Sequence, residues 1–156
     1  MIRRRSTPGP RYQPLLSLLH TAEAVWESSR VFFARWDLSP SQFNVLNLLY
    51  GSPDGLTQTD LSKRLITHRS NITGLVDRLE ARGFLQRNEA REDRRAYRVV
   101  LTPKGRSLVQ EILPYYYSAA ETVWDGVEPG QVKALTGSLD RLARNANLAA
   151  SQMESP

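Results

Sequence analysis

From Pro14 onward, apolar residues recur every three or four positions: Leu15, Leu18, Leu19, Ala22, Val25, Trp26, Phe32, Phe33 and Trp36. That period predicts a long amphipathic helix with an unusually wide apolar face. Asp37-Leu38-Ser39-Pro40 interrupts it, and Ser39 before Pro40 is a cap followed by a first-turn residue. A second helix is predicted from there, with Phe43, Leu46, Leu49 and Tyr50 on its buried side. The cluster Gly51-Ser52-Pro53-Asp54-Gly55 ends it. Thr57 opens a short third helix. Asp60 stands three residues on, as in a capping box, and Leu61 and Leu65 are the apolar positions. After the link Ile66-Thr67 a fourth helix runs to about Arg82, with Ile72, Leu75, Val76 and Leu79 toward the core. Gly83 sits where helices commonly close in the left-handed conformation.

The period then changes. Phe84–Arg87 and Tyr97–Leu101 read as two short strands, separated by the charged stretch Asn88 to Ala96. A charged hairpin after two short helices is a wing. Thr102-Pro103 caps a further helix carrying Leu108, Ile112, Tyr115, Tyr116, Ala119 and Val123, with a kink or break expected at Pro114. Beyond Val127-Glu128-Pro129-Gly130, a last helix places Val132, Leu135, Leu139, Leu142, Ala146 and Ala149 on a heptad seam. The fold class is therefore mainly α (α+β): a winged helix-turn-helix with flanking N- and C-terminal helices. The first helix spreads its apolar residues too widely for one neighbour, and the last has a seam of its own. Both are expected to form a dimerisation region; the other arrangement is that they cover one another within a monomer. Residues 1–10, basic and rich in Pro and Gly, are expected to be a disordered arm. Residues 11–156 form a single domain, with the winged helix-turn-helix at about 38–104 and dimerisation helices at about 12–36 and 103–150.

Composition sharpens this picture in two places. Cysteine is absent, which excludes disulfides, thiolate metal sites and a cysteine redox switch. The net charge is +5, and it is unevenly placed. Between Lys63 and Arg106 stand twelve Lys/Arg against five Asp/Glu, whereas the rest of the chain has nine against eleven. A basic segment in an otherwise slightly acidic chain points to a polyanion. No apolar run approaches the roughly 18 residues of a membrane span. The basic start Met1-Ile2-Arg3-Arg4-Arg5 leads into Pro8, Gly9 and Pro10 rather than an apolar stretch, so no signal peptide is expected and the cytoplasm is the simplest location.

The second helix of a helix-turn-helix enters the major groove with its N-terminal half. Here that half carries Thr67, His68, Arg69, Ser70, Asn71, Thr73 and Gly74. Arg pairs bidentately with guanine, Asn with adenine, and Ser or Thr with several bases. Gly74 would leave room for close approach to the duplex. The wing tip reads Arg91-Glu92-Asp93-Arg94-Arg95. Arginines on a hairpin tip suit a narrow minor groove, and Asp93 would hold Arg95 in one pose. By contrast, His20 and His68 are far apart and lack an acid cluster, so no metal is expected. No nucleophile elbow, phosphate-cradling glycine loop or carboxylate dyad is present, and a Ser62 or Ser70 pairing with His68 is better read as capping or DNA contact. We expect neither a catalytic residue nor a cofactor.

Together, these segments resemble the multiple-antibiotic-resistance regulator (MarR) family of winged-helix proteins. The resemblance rests on Leu38 to Gly51, Thr57-Gln58-Thr59-Asp60-Leu61, Asn71-Ile72-Thr73 and Leu75-Val76-Asp77-Arg78-Leu79-Glu80. It continues through Arg82-Gly83-Phe84-Leu85-Gln86-Arg87, Asp93-Arg94-Arg95 and Leu101-Thr102-Pro103-Lys104-Gly105. It implies a homodimer on a pseudo-palindromic operator, usually a repressor, often released by a small aromatic or phenolic acid. It implies that Asp93 and Arg95 are the wing's paired residues, with Arg95 in the minor groove and Arg94 facing phosphate. Thr73 resembles the recognition-helix threonine. Arg69, Ser70 and Asn71 occupy its DNA-facing turn, Arg78 and Lys104 are candidates for phosphate, and His68 stands with them as a candidate DNA contact. The peroxide-sensing branch uses a reactive cysteine that this chain lacks. The arm bearing Arg3, Arg4 and Arg5 could add backbone contacts.

An effector site is less legible. Tyr12, His20, Trp26, Arg30, Phe33 and Tyr50 are candidate linings, with Arg30 as partner to a carboxylate. Aromatics at helical spacing are more often core, and Arg30 has Glu23 and Glu27 within reach on its own helix. An architectural DNA binder without effector, or a winged-helix protein-interaction module, remains an alternative function.

Overall fold

The computed structural model describes residues 7–66, 71–89 and 97–154. Along the chain run α1 (Tyr12–Ala34), α2 (Pro40–Tyr50), α3 (Gln58–Arg64), α4 (Ile72–Ala81), β1 (Leu85–Glu89), β2 (Tyr97–Leu101), α5 (Pro103–Val123) and α6 (Pro129–Glu154). They divide into two compact units, one of Leu15–Tyr115 and one gathering the chain before Leu15 and after Tyr115.

In the larger unit the elbow between α1 and α2 is set by local chemistry. Asp37 takes the left-handed conformation (φ 53), and the Leu38 N–H returns to the Phe33 carbonyl at 3.2 Å. Asp tolerates that conformation better than most residues because its short side chain bonds locally. Ser39 then opens α2 with a complete capping box: its Oγ accepts the Gln42 N–H at 3.2 Å, and Gln42 Oε1 accepts the Ser39 N–H at 2.8 Å. Ser39 before Pro40 marks this start in the sequence, and Gln42 three residues on marks it equally. Phe33 packs on Phe43 with stacked rings 4.3 Å apart. Beneath them Val45, Leu46, Leu49, Leu61, Val76, Leu79, Leu85, Val99, Val109 and Ile112 are buried and form the core.

The sheet is an antiparallel pair with Leu85 opposite Leu101 and Glu89 opposite Tyr97. β1 thus begins one residue later than the pattern suggested and continues through Asn88 and Glu89. The start shifts because the Phe84 N–H turns back to the Leu79 carbonyl at 3.0 Å, which closes α4 instead of opening the strand. Leu56 adds an isolated rung on the far edge of β2, exchanging bonds of 3.1 and 2.8 Å with Val99.

α5 runs through Pro114 as one helix, and it buries Gly105, Val109, Ile112 and Leu113, while Leu108 stays half-buried. The helix is rotated from the expected face by its first turn. A Cβ on Gly105 would stand 1.9 Å from the Phe84 carbonyl oxygen, so the two backbones meet where only glycine fits. With Gly105 turned inward, positions four and seven residues on follow it. Trp36 Nε1 donates to Glu111 Oε1 at 2.7 Å and its ring lies 5.9 Å from Tyr115, which joins the end of α1 to α5. In the smaller unit, no described side chain of α6 is buried, and Leu135, Leu142 and Leu148 are exposed.

Candidate nucleic-acid interface

The pair α3–α4 is fixed by polar bonds at its rim and leucines beneath. Thr57 caps α3: its hydroxyl accepts the Asp60 N–H at 3.1 Å and donates to Asp60 Oδ2 at 2.7 Å. The bond from Thr57 holds the Asp60 carboxyl below its ordinary value of 3.8, with Lys63 and Arg64 adding to the effect. The link after α3 is tied to α2 where the Ile66 N–H reaches Asn44 Oδ1 at 3.2 Å. Leu75, Val76 and Leu79 turn α4 inward, leaving Asn71, Thr73, Asp77 and Arg78 exposed on its outer side. Thr73 Oγ1 donates to Gln58 Oε1 at 3.1 Å, so the first turn of α4 is anchored to the first residue of α3.

Gly74 plays a different part from the one read in the sequence. A Cβ there would lie 2.5 Å from Asn71 Oδ1 and 3.7 Å from Arg78 Nη1. The space left by the missing side chain is therefore occupied by the Asn71 amide, next to Arg78, rather than held open for a duplex.

At its other end α4 is closed by cations. Arg82 Nη1 donates to the Asp37 carbonyl at 2.6 Å, and Nη2 lies 3.3 Å from the Asp37 carboxylate. Lys104 Nζ donates to the Arg82 carbonyl at 2.8 Å. The Lys104 ammonium and the Arg82 guanidinium lie 4.8 and 4.9 Å from the Phe84 ring centroid. Between α4 and the hairpin stands Arg87 of β1. Its Nη2 donates to Asp77 Oδ1 at 2.5 Å and its Nη1 to Glu80, while its backbone N–H reaches Glu80 Oε1 at 3.1 Å. The two carboxylates hold the Arg87 guanidinium above its ordinary value, Asp77 contributing most.

Of the ten residues expected at DNA, the structure brings Asn71, the N-cap of α4, beside Arg78 at Gly74, turns Thr73 of the same helix toward α3, and puts Lys104 at the other helix end. His68, Arg69, Ser70, Asp93, Arg94 and Arg95 lie outside the described residues. Gln58 and Arg87 are further residues of this surface that the sequence pattern alone does not pick out. For Arg87 the sequence offers a partial signal, two acids three residues apart on α4 that call for a nearby cation.

The effector candidates do not converge. A cleft of about 340 Å³ at the α1–α2 elbow is lined by Arg30, Ala34, Asp37, Leu38, Ser39, Pro40 and Gln42, so Arg30 is the candidate that lines it. Arg30 pairs with Glu27 at 3.1 Å, an exposed contact on its own helix. Phe33 is a core residue, and Tyr50 lies under the Arg106 guanidinium at 5.2 Å. Trp26 is half-buried, His20 is exposed, and Tyr12 belongs to the smaller unit. Among the described residues no cluster of His, Asp or Glu could hold a metal ion, and no helix is long and apolar enough to cross a membrane.

Comparison with known proteins places this architecture. Residues 36–96 match the sequence profile of the MarR family. The chain is 31% identical over 133 residues to the HTH-type transcriptional repressor YetL of Bacillus subtilis (strain 168), covering 82% of this chain and 80% of that protein. It is 33% identical over 84 residues to the transcriptional repressor MprA of Escherichia coli (strain K12), covering 52% of this chain and about half, 48%, of MprA. Among solved structures, the transcriptional repressor CouR bound to a 23-mer DNA duplex superposes with a TM-score of 0.74 at 27% identity, covering 89% of this chain and 99% of that one.

Proposed function

The chain belongs to the MarR family of DNA-binding transcriptional regulators, and from that premise we propose that it is a homodimeric repressor that binds a pseudo-palindromic operator. The recognition surface is His68, Arg69, Ser70, Asn71 and Thr73 in the major groove. Arg95, steadied by Asp93, enters the minor groove, and Arg94, Arg78 and Lys104 face phosphate. The observation that carries this reading is the exposure of Asn71, at the N-cap of α4, and of Thr73 and Arg78 within it, beside a hairpin, within a segment of twelve basic and five acidic residues. YetL and MprA are repressors by name, and CouR is a repressor bound to DNA, which supports the same role here. For the dimer, the support is apolar surface left uncovered in one chain: Leu15, Leu19 and Val31 on α1, and Leu135, Leu142 and Leu148 on α6. On this reading residues 11–156 act as one domain, with residues 1–10 an added basic arm.

We further propose that a small aromatic or phenolic acid releases the repressor. The support is the family resemblance together with a cationic residue, Arg30, on the elbow cleft.

Binding of wild-type protein to genomic fragments across a salt series tests the function. Nanomolar-range affinity for a discrete site, falling steeply with salt, is the expected result. Absence of salt-dependent binding would instead mark a protein-interaction module. Arg69→Ala is expected to lose discrimination at particular base pairs, and Arg95→Ala to weaken binding broadly or at A·T-rich flanks; unchanged affinity of Arg95→Ala removes the wing assignment. A thermal-shift screen of aromatic acids separates a ligand-released repressor from an architectural binder.

A further inference from the structure

We infer that Arg87 is a positioning residue of the DNA-binding surface, holding strand β1 at a fixed angle to α4 without itself touching DNA. The inference rests on the reading of α4 as the recognition helix.

By composition Arg87 is one of the twelve basic residues of the central segment and would count toward phosphate. Its surroundings assign it elsewhere. Its fork is divided between two carboxylates of α4, Asp77 at 2.5 Å and Glu80, and its own backbone N–H donates to the second oxygen of Glu80 at 3.1 Å. The side chain is 25% exposed. A guanidinium is planar and rigid, so bonds to two points three residues apart on a helix fix direction as well as distance. The backbone bond adds a third point of attachment. Together they prevent β1 from sliding along α4 and from rocking across it.

The charges lead to the same conclusion. Two carboxylates against one guanidinium leave the cluster net negative, a poor partner for phosphate. Without Arg87, Asp77 and Glu80 would stand as like charges on neighbouring turns of a helix that has to approach a polyanion. The acids are therefore a cost to DNA binding unless they do something else, and what they do is hold the strand. A groove-reading helix and a hairpin must enter one duplex together, so the angle between them decides fit to a particular site far more than general attraction to DNA.

The test uses the full-length protein and the variants Arg87→Gln, Arg87→Lys and Glu80→Gln. Each is assayed at a temperature where circular dichroism shows it folded. Binding is measured to the best genomic fragment selected by wild type and to an unrelated duplex of equal length, across a salt series. Arg87→Gln and Glu80→Gln are expected to weaken the selected site about 10- to 100-fold, the scale of one or two spoiled base contacts, with less than about 3-fold change on the unrelated duplex. The salt slope stays at the wild-type value, and Arg87→Lys, which keeps one bond, falls between. The sign for Glu80→Gln is diagnostic, because removing an acid beside DNA should by charge alone strengthen binding to both duplexes. Strengthened binding overturns the inference. So does an Arg87→Gln variant that loses about 0.9 of slope and weakens both duplexes equally, which makes Arg87 a phosphate contact. If Arg87→Gln does not fold, Glu80→Gln and Arg87→Lys decide. Wild-type protein without salt-dependent binding sinks the recognition-helix reading itself, and this inference with it.

Discussion

Lys104, in the first turn of α5, donates its ammonium to the carbonyl of Arg82, the residue that closes α4, at 2.8 Å. One cation thereby caps the carbonyl end of the proposed recognition helix, where the helix dipole favours positive charge. An ammonium has three donors, so Lys104 retains capacity for a phosphate. Lys104→Met is expected to cost about 0.3–1 kcal/mol of stability, read from urea melts. It is also expected to lower the salt slope of DNA binding by about 0.9 per site. Loss of stability with an unchanged slope would leave Lys104 a cap alone.

Gly74→Ala should separate stability from function. Alanine in a helix interior is favoured over glycine by about 0.5–1 kcal/mol, so the melt should move up or hold. The new methyl would meet Asn71 Oδ1 at 2.5 Å, and the flexible amide has to leave its place. Operator affinity should fall by about 10-fold or more, the cost of a displaced base contact. A variant that is both stabler and fully active would remove Asn71 from the interface.

Gly105→Ala is the opposite case. Its methyl would meet a backbone oxygen at 1.9 Å, and neither backbone has a rotamer to change. The expected loss is at least the roughly 1–3 kcal/mol of overpacking, visible as a lower thermal midpoint. A midpoint at the wild-type value would mean that α5 and Phe84 do not meet as described.

The Thr57 cap carries a pH signature. Asp60 has its folded pKa below its ordinary 3.8, so its contribution is present above that value and is lost as pH falls through the lowered one. Thr57→Ala should cost about 1 kcal/mol at neutral pH, the usual value of an N-cap. The gap between variant and wild type should narrow below about pH 4, as protonation weakens the wild-type bond. Denaturant melts at pH 7 and pH 3 check it, and a gap that widens in acid would contradict the assignment.

The elements that periodicity announces were legible: every helix, both strands, and the stops at Asp37–Pro40 and Gly83. What escaped depends on how elements meet. The inward face of α5 follows from Gly105 against Phe84, a contact between residues 21 apart that no period encodes. β1 starts late because Phe84 is claimed by α4. At the site, residue types pointed to α4 and its outward Asn71, Thr73 and Arg78. Arg87 was hidden because a basic residue in a basic segment reads as a ligand for phosphate until its carboxylate partners are seen. Of the effector candidates, Phe33 packs on Phe43, Tyr50 is engaged by Arg106, and Arg30 lines the elbow cleft.

Lengthening a surface turn is ordinarily among the mildest changes a protein can suffer. The turn from Gly51 to Gly55 is an exception at its exit, where two adjacent residues are pinned to β2. Leu56 is stitched to Val99, and Arg98 grips the Gly55 carbonyl at 3.0 Å, so the doorway into α3 is also the hinge-post of the hairpin. A residue inserted between Gly55 and Leu56 would have to break the stitch or drag α3 out of step with β2. If α4 and the hairpin read DNA as proposed, side-chain changes on α4 can alter which bases are read while the spacing between the two elements stays under lock.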